Sequence, residues 1–151
     1  MRDRFENFTI TILKLNKLVQ KIKLYEMGEY GLKAIHVMCV YCLNSSVDGL
    51  TASDLAKHTL EDKAAISRAL SLLKAKGYVC YDPKKYNCAV KLTKEGEKIA
   101  SFVTERAHSA VEAGGDGLDD GRRAEFYRTL EQIAGNLTDY YESLVKNQKK
   151  G

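Results

Sequence analysis

The sequence predicts a mainly α chain with one small β-hairpin, an α+β fold, and three observations predict it. Apolar residues recur at three- or four-residue spacing in long runs near both ends and in shorter runs between them. One stretch, from Val79 to Leu92, switches instead to a period of two around the turn "DPKKYN". The one clear break is "EAGGDGLDDG", and no internal repeat is present. With 151 residues, 44% of them apolar and 29% charged, the chain suits one ordinary globular domain spanning 1–151.

The elements follow in order. Phe8, Ile12, Leu15, Val19, Ile22 and Tyr25 lie on one face of a first helix, with Lys14, Lys17 and Lys21 on other faces. Gly28 and Gly31 weaken its continuation. "GLKAIHVMCVYCLNS" is apolar around most of a helical circumference, as a central helix should be, and Asn44 to Gly49 closes it with turn residues. Thr51 with Asp54 three residues on resembles a capping box and opens a short helix that turns Leu55 and Ala56 inward. A tight linker leads to a third periodic run, Ile66, Ala69, Leu70 and Leu73, which Gly77 stops. Val79 and Tyr81 are expected on one face of a strand, and Cys88, Val90 and Leu92 on one face of its partner, with Pro83 in the turn. Thr93 caps a helix expected to run to about Val111, with Glu95 and Glu97 near its positive end. Phe126, Leu130, Ile133, Leu137, Tyr140 or Tyr141, and Leu144 mark a last amphipathic helix.

A formal net charge of +4 permits nucleic acid as a partner without requiring it. The charge is unevenly spread. Between Asp62 and Lys98 stand Lys63, Arg68, Lys74, Lys76, Lys84, Lys85, Lys91, Lys94 and Lys98, against only Asp62, Asp82, Glu95 and Glu97. Two short helices joined by a few residues form the helix-turn-helix arrangement. With the stripe at 66, 69, 70 and 73 inside, the N-terminal half of the second helix presents Lys63, Ala64, Ser67, Arg68 and Ser71 outward. These residue types suit a DNA major groove: Arg and Lys donate to guanine, Ser donates or accepts, and Ala meets a thymine methyl. Lys84 and Lys85 at the hairpin tip suit backbone phosphates, and Tyr86 suits a sugar. An amphipathic helix with lysines outside is also the commonest object in soluble proteins, so periodicity alone leaves plain packing as an equal reading.

From Leu50 to Gly96 the chain resembles the multiple-antibiotic-resistance regulator (MarR) family of winged helix-turn-helix transcription factors. "LTASDLAKHTLEDKAAISRALSLLKAKGYV" is similar to that family's two-helix run, through "DLA", Lys63, Arg68, Leu73 and the helix-stopping Gly77. "VKLTKEG" resembles the end of the wing and the start of the next helix. The resemblance implies a winged helix-turn-helix lobe over 31–98 and dimerisation helices over 5–27 and 122–147. It implies a homodimeric transcriptional regulator, expected to be a repressor, on palindromic double-stranded DNA. Two places depart from the pattern. Members usually carry an acidic residue and an arginine two apart at the wing tip, where this chain has Lys84 and Tyr86, and Leu60 replaces the usual glycine or asparagine in the helix-turn-helix linker. The weakened wing motivates a rival reading, an interaction domain that keeps the fold without binding DNA.

The first and last helices carry apolar stripes longer than one small lobe needs, and Ile12, Leu15, Val19, Leu130, Ile133, Leu137 and Tyr140 are the expected dimer contacts. The resemblance also implies a small anionic or aromatic effector between dimer helices and DNA lobe; Tyr25, Tyr30, His36 and Met38 are of suitable types, though such residues are more often core.

Cys39 and Cys42 form C-x-x-C, with Cys80 and Cys88 across the hairpin. Core packing is the preferred reading, because thiols in the middle of an apolar helix lack the knuckle of a zinc site; redox sensing and metal binding are the rivals. No metal or cofactor is assigned. No hydrolase triad, H-E-x-x-H, phosphate loop or dinucleotide fingerprint points to an enzyme. The start "MRDRFENFTI" lacks a signal-peptide core and no apolar run reaches membrane-spanning length, so no membrane association and a cytoplasmic location are expected.

Overall fold

The computed structural model describes residues 3–149, excepting the side chain of Phe5. Its elements are α1 (Arg4–Met27), a single 3-10 turn (Gly28–Tyr30), α2 (Ala34–Asn44), α3 (Ala52–Thr59), α4 (Lys63–Ala75), β1 (Val79–Cys80), β2 (Lys91–Leu92), α5 (Lys94–Gly114) and α6 (Asp120–Gln148). The predicted order of helices and hairpin is the observed one, and the fold is mainly helical with a small antiparallel hairpin. The chain divides into two compact units, one through His108 and one from Ser109.

In the first unit, α2, α3 and α4 pack around one core. All four residues of the α4 stripe, Ile66, Ala69, Leu70 and Leu73, are buried, together with Leu55 of α3 and Val37, Cys39, Val40 and Leu43 of α2. Met27 and Leu32, at the α1–α2 corner, and Val79, Val90, Ala100 and Val103 complete the same core. The α3 cap is a full reciprocal box. Thr51 Oγ1 accepts from the Asp54 amide at 3.1 Å, and Asp54 Oδ2 accepts from the Thr51 amide at 3.1 Å. The Thr51 hydroxyl and amide hold the Asp54 carboxyl below the usual carboxylate range. Asp62 caps α4 through the Ala65 amide at 2.7 Å.

The strands are shorter than the alternation predicts. Only Val79–Leu92 and Cys80–Lys91 pair, so Tyr81 and Cys88 lie beyond the ladder. Two other pairings divert the chain, one distant in sequence and one local. Val90 pairs with Leu50 in an isolated antiparallel bridge, donating at 2.8 Å and accepting at 3.1 Å. The Asp82 carbonyl accepts from the Lys85 amide at 3.1 Å and from Cys88 Sγ at 3.3 Å, which curls the segment into a turn led by Asp82 and Pro83.

Thr93 caps α5 as expected, accepting from the Gly96 amide at 3.0 Å. The helix continues past Val111 to Gly114. In the second unit Asp119 caps α6 through the Arg122 amide at 2.9 Å. The glycine- and aspartate-rich break is organised by Arg123. Its guanidinium donates to the carbonyls of Gly115 (2.9 Å) and Leu118 (3.2 Å) and to both oxygens of Glu112 (3.1 Å).

Candidate nucleic-acid interface

The outward side of α4 follows from burying its stripe. Lys63, Ala64, Ser67, Arg68 and Ser71 are all exposed. Arg68 makes no hydrogen bond or ion pair among the described residues, so its guanidinium fork is available to a ligand. Asp62 caps the helix and forms no ion pair with a cation of α4 among the described residues.

The wing lies beside this face. Lys84 and Lys85 stand exposed on the turn, whose backbone is set by the Lys84 amide donating to Asp82 Oδ1 at 3.0 Å. Tyr86 is 89% exposed. Its ring nevertheless lies under the Lys63 ammonium, 4.9 Å from the centroid, and the hydroxyl oxygen accepts from Lys63 Nζ at 3.1 Å. Asn87 follows in a left-handed conformation at φ +49°. Its Oδ1 accepts from both the amide (3.2 Å) and the hydroxyl (3.0 Å) of Ser53, in the first turn of α3. Ser53 and Asn87 were not singled out by the sequence. No local signal marks a bond between positions 34 residues apart.

The basic segment is less uniformly available than its composition indicates. Lys74 turns inward, donating to the Tyr81 carbonyl at 2.8 Å and covering the Tyr81 ring at 4.6 Å. Lys98 pairs with Glu95 at 3.0 Å. Arg68, Lys84 and Lys85 have no ion-pair partner among the described residues.

Leu60 takes the linker position in a left-handed conformation (φ 57°, ψ 32°) with 92% of its surface exposed. Behind that linker lies a cleft of about 270 Å³ within the first unit. Ala34, Ile35 and Met38 supply apolar side chains to its lining, and Lys23, His58 and Glu61 supply polar ones. Burial pushes the Lys23 ammonium below its ordinary range, with Cys42 opposing.

The four residues named for an effector do not converge. Met38 lines this cleft, but Tyr25 projects into solvent with 88% exposure, and Tyr30 packs on Phe102 with ring centroids 5.6 Å apart. His36 is buried and caps α2, its Nδ1 accepting from the Lys33 amide at 2.9 Å. That bond requires an unprotonated Nδ1. Burial, then the charges of Lys33 and Lys76, hold the imidazole below its usual range and keep it so.

Among the expected dimer contacts, Ile12, Leu15, Val19, Leu137 and Tyr140 are exposed, while Leu130 and Ile133 are half-buried. Cys39 is fully buried, and burial, with Cys42 and Glu61 adding, pushes its thiol up to about 12. Burial raises the Cys42 thiol too, against the opposing charge of Lys23. Cys80 is exposed and Cys88 half-buried. Among the described residues no three His, Cys, Asp or Glu side chains are placed to hold a metal ion, and no helix is long and apolar enough to cross a membrane.

The sequence matches no family model and no curated protein. Solved structures do match. A MarR protein from Peptoclostridium difficile superposes with a TM-score of 0.81 at 17% identity, covering 95% of each chain. A MarR transcriptional regulator from Methanosarcina mazei gives 0.78 at 24% identity, over 92% of this chain and 94% of that one. CouR from Rhodococcus jostii, solved bound to p-coumaroyl-CoA, gives 0.76 at 16% identity, over 89% and 96%. The chain has the fold of the MarR-type winged helix-turn-helix regulators.

Proposed function

We propose that the protein is a sequence-specific, duplex-DNA-binding transcriptional regulator that acts as a homodimer, in the sense of a repressor. One observation carries the reading. The α4 face that remains after core burial offers a free Arg68 among Lys63, Ala64, Ser67 and Ser71, and the adjacent wing turn adds two free lysines. Base-reading donors on a helix beside a phosphate-reaching loop are what a major groove and its flanking backbone require. In this reading 31–98 is the DNA lobe, and 5–27 and 122–147 are the dimerisation helices.

Exposed apolar surface supports pairing with a second copy. From Ile10 to Leu24 the large aliphatic side chains of α1 stand 41–58% exposed, and Phe126, Leu137, Tyr140 and Leu144 of α6 are exposed as well. Monomers rarely leave an apolar helix face of this kind in water. Two-fold pairing would set two α4 helices against palindromic half-sites about one DNA turn, ~34 Å, apart. The cleft behind Leu60 supports control by a small molecule, since it joins apolar walls to a half-buried ammonium, Lys23, that has no carboxylate partner among the described residues. An amphipathic anion fits that chemistry; the anionic ligand of CouR belongs to that protein.

The test is a salt titration of binding to genomic fragments, with R68A and K84A/K85A beside the wild type. Each lost phosphate contact lowers the log–log salt slope by roughly 1. K84A/K85A should flatten the slope, while R68A should lose more specific than non-specific affinity, by about 1–3 kcal/mol. Absence of wild-type binding at low salt favours the rival, an interaction domain on the same fold.

A further inference from the structure

Among the described residues, the wing turn is tied to the helix-turn-helix by side chains the sequence gives no reason to connect. The first turn of α3 divides its donors among three acceptors. The Thr51 amide goes to Asp54, the Asp54 amide goes to Thr51 Oγ1, and the Ser53 amide is left to a partner from outside the helix. Asn87 supplies it. Because the Ser53 N–H can only donate, the carboxamide oxygen must face it, and the Ser53 hydroxyl donates to the same oxygen.

The backbone at Asn87 is shaped for this reach. A φ of +49° is costly for most side chains and tolerated by asparagine. Glycine would take the same conformation more cheaply, but it carries no acceptor. On the other arm of the hairpin, Lys74 holds the Tyr81 carbonyl at 2.8 Å. Between these two ties the only unrestrained charged side chains are those of Lys84 and Lys85.

We propose that Asn87 is a positioning residue of the wing. By accepting from Ser53 it fixes the wing on the first turn of α3, and so sets where Lys84 and Lys85 meet the DNA backbone. This rests on the DNA-binding reading above for its consequence, though not for the latch itself. A wing held before binding loses less conformational freedom on docking, so its two lysines contribute more of their attraction to affinity.

Two measurements test it. In amide exchange by NMR, the Ser53 amide should be protected in the wild type. It should exchange roughly tenfold faster or more in N87G, which keeps the left-handed backbone and loses the acceptor. N87D, which keeps an acceptor, should restore protection. The Ala65 amide, held by Asp62, reports in the same spectra that the lobe remains folded and should not change. In parallel, binding to a random-sequence duplex across salt concentrations should show a log–log slope lower by roughly 1–2 in N87G. Adding N87G to K84A/K85A should lower the slope no further. Wild-type protection of Ser53 persisting in N87G overturns the latch. A wild type that binds duplex while N87G keeps its full slope overturns the positioning role alone. A wild type that binds no duplex overturns the DNA-binding reading and the role together, while Ser53 exchange still decides the latch.

Discussion

Substituting Gly96 by alanine tests how the wing is joined to α5. Gly96 is buried in the first turn of α5, where a Cβ would run into the Tyr78 carbonyl oxygen, lie 2.9 Å from the carbonyl carbon and 3.3 Å from Leu92 Cδ2. The obstacle is backbone and does not rotate away. That same carbonyl accepts from the Thr93 amide at 3.1 Å, so moving α5 far enough to admit a methyl group stretches the bond that seats the helix on β1. Overpacking costs about 1–3 kcal/mol, and a lost net hydrogen bond about 0.5–1.5. Against this, alanine reduces the freedom of the unfolded chain and favours helix by about 0.4–1 kcal/mol. The balance is a loss of about 1–3 kcal/mol, or roughly 2–4 °C in Tm per kcal/mol for a chain of this size. Gly77 is the internal control. Nothing lies within 4 Å of its would-be Cβ, but its φ is +77°, so G77A should cost only the left-handed strain, about 1 kcal/mol. Urea unfolding followed by circular dichroism measures both. G96A as stable as wild type would refute the close approach of α5 to Tyr78.

Three further outcomes follow from individual positions. Leu60 holds a left-handed conformation with its side chain in solvent, so L60G should stabilise by about 0.5–1 kcal/mol in urea unfolding, and a loss would mean that its side chain has a packing role. His36 is held below its free value, so on acidification the unfolded chain takes up the proton first; stability is full above about pH 6.5 and falls as pH drops through the lower folded value, by at most ~1.4 kcal/mol per pH unit. H36Q should remove that part of the slope, and an unchanged pH profile would contradict a neutral buried imidazole. L137E, which adds a charge at a side chain 52% exposed in the single chain, should shift sedimentation equilibrium toward monomer, while the surface control E131K should not; a fully dimeric L137E would exclude this face from the interface.

The sequence was legible where the physics is periodic or local. The α4 stripe predicted four buried positions because helical geometry puts residues at 66, 69, 70 and 73 on one face, and all four are core. The caps at Thr51 and Thr93 were legible because each bond spans three residues. Strand length was not, because Val90 is shared with Leu50, some forty residues earlier in the chain, and alternation does not report which partner wins. His36 shows the same limit in another form. Its residue type suits a ligand pocket, but a helix end needed an acceptor, and the imidazole serves it.

The wing carries the same lesson into function. Resemblance placed an acidic residue and an arginine at positions held here by Lys84 and Tyr86, which left the wing without the pair that usually braces it. The bracing is instead distributed over neighbours: Tyr86 meets Lys63 at the start of α4, Asn87 meets Ser53 at the start of α3, and Lys74 meets Tyr81 near the end of β1. Two of these three ties engage a lysine with a neutral partner, which occupies a donor without cancelling the charge. The tip gains what the arms give up. With no carboxylate at position 84, neither tip lysine has an ion-pair partner among the described residues, and both charges face solvent. Such a tip favours phosphate attraction over base reading, because an ammonium is a compact point charge without the guanidinium's bidentate geometry. In the DNA-binding reading proposed above, sequence discrimination would then fall to Arg68 and its neighbours on α4, and the wing would contribute the salt-sensitive share.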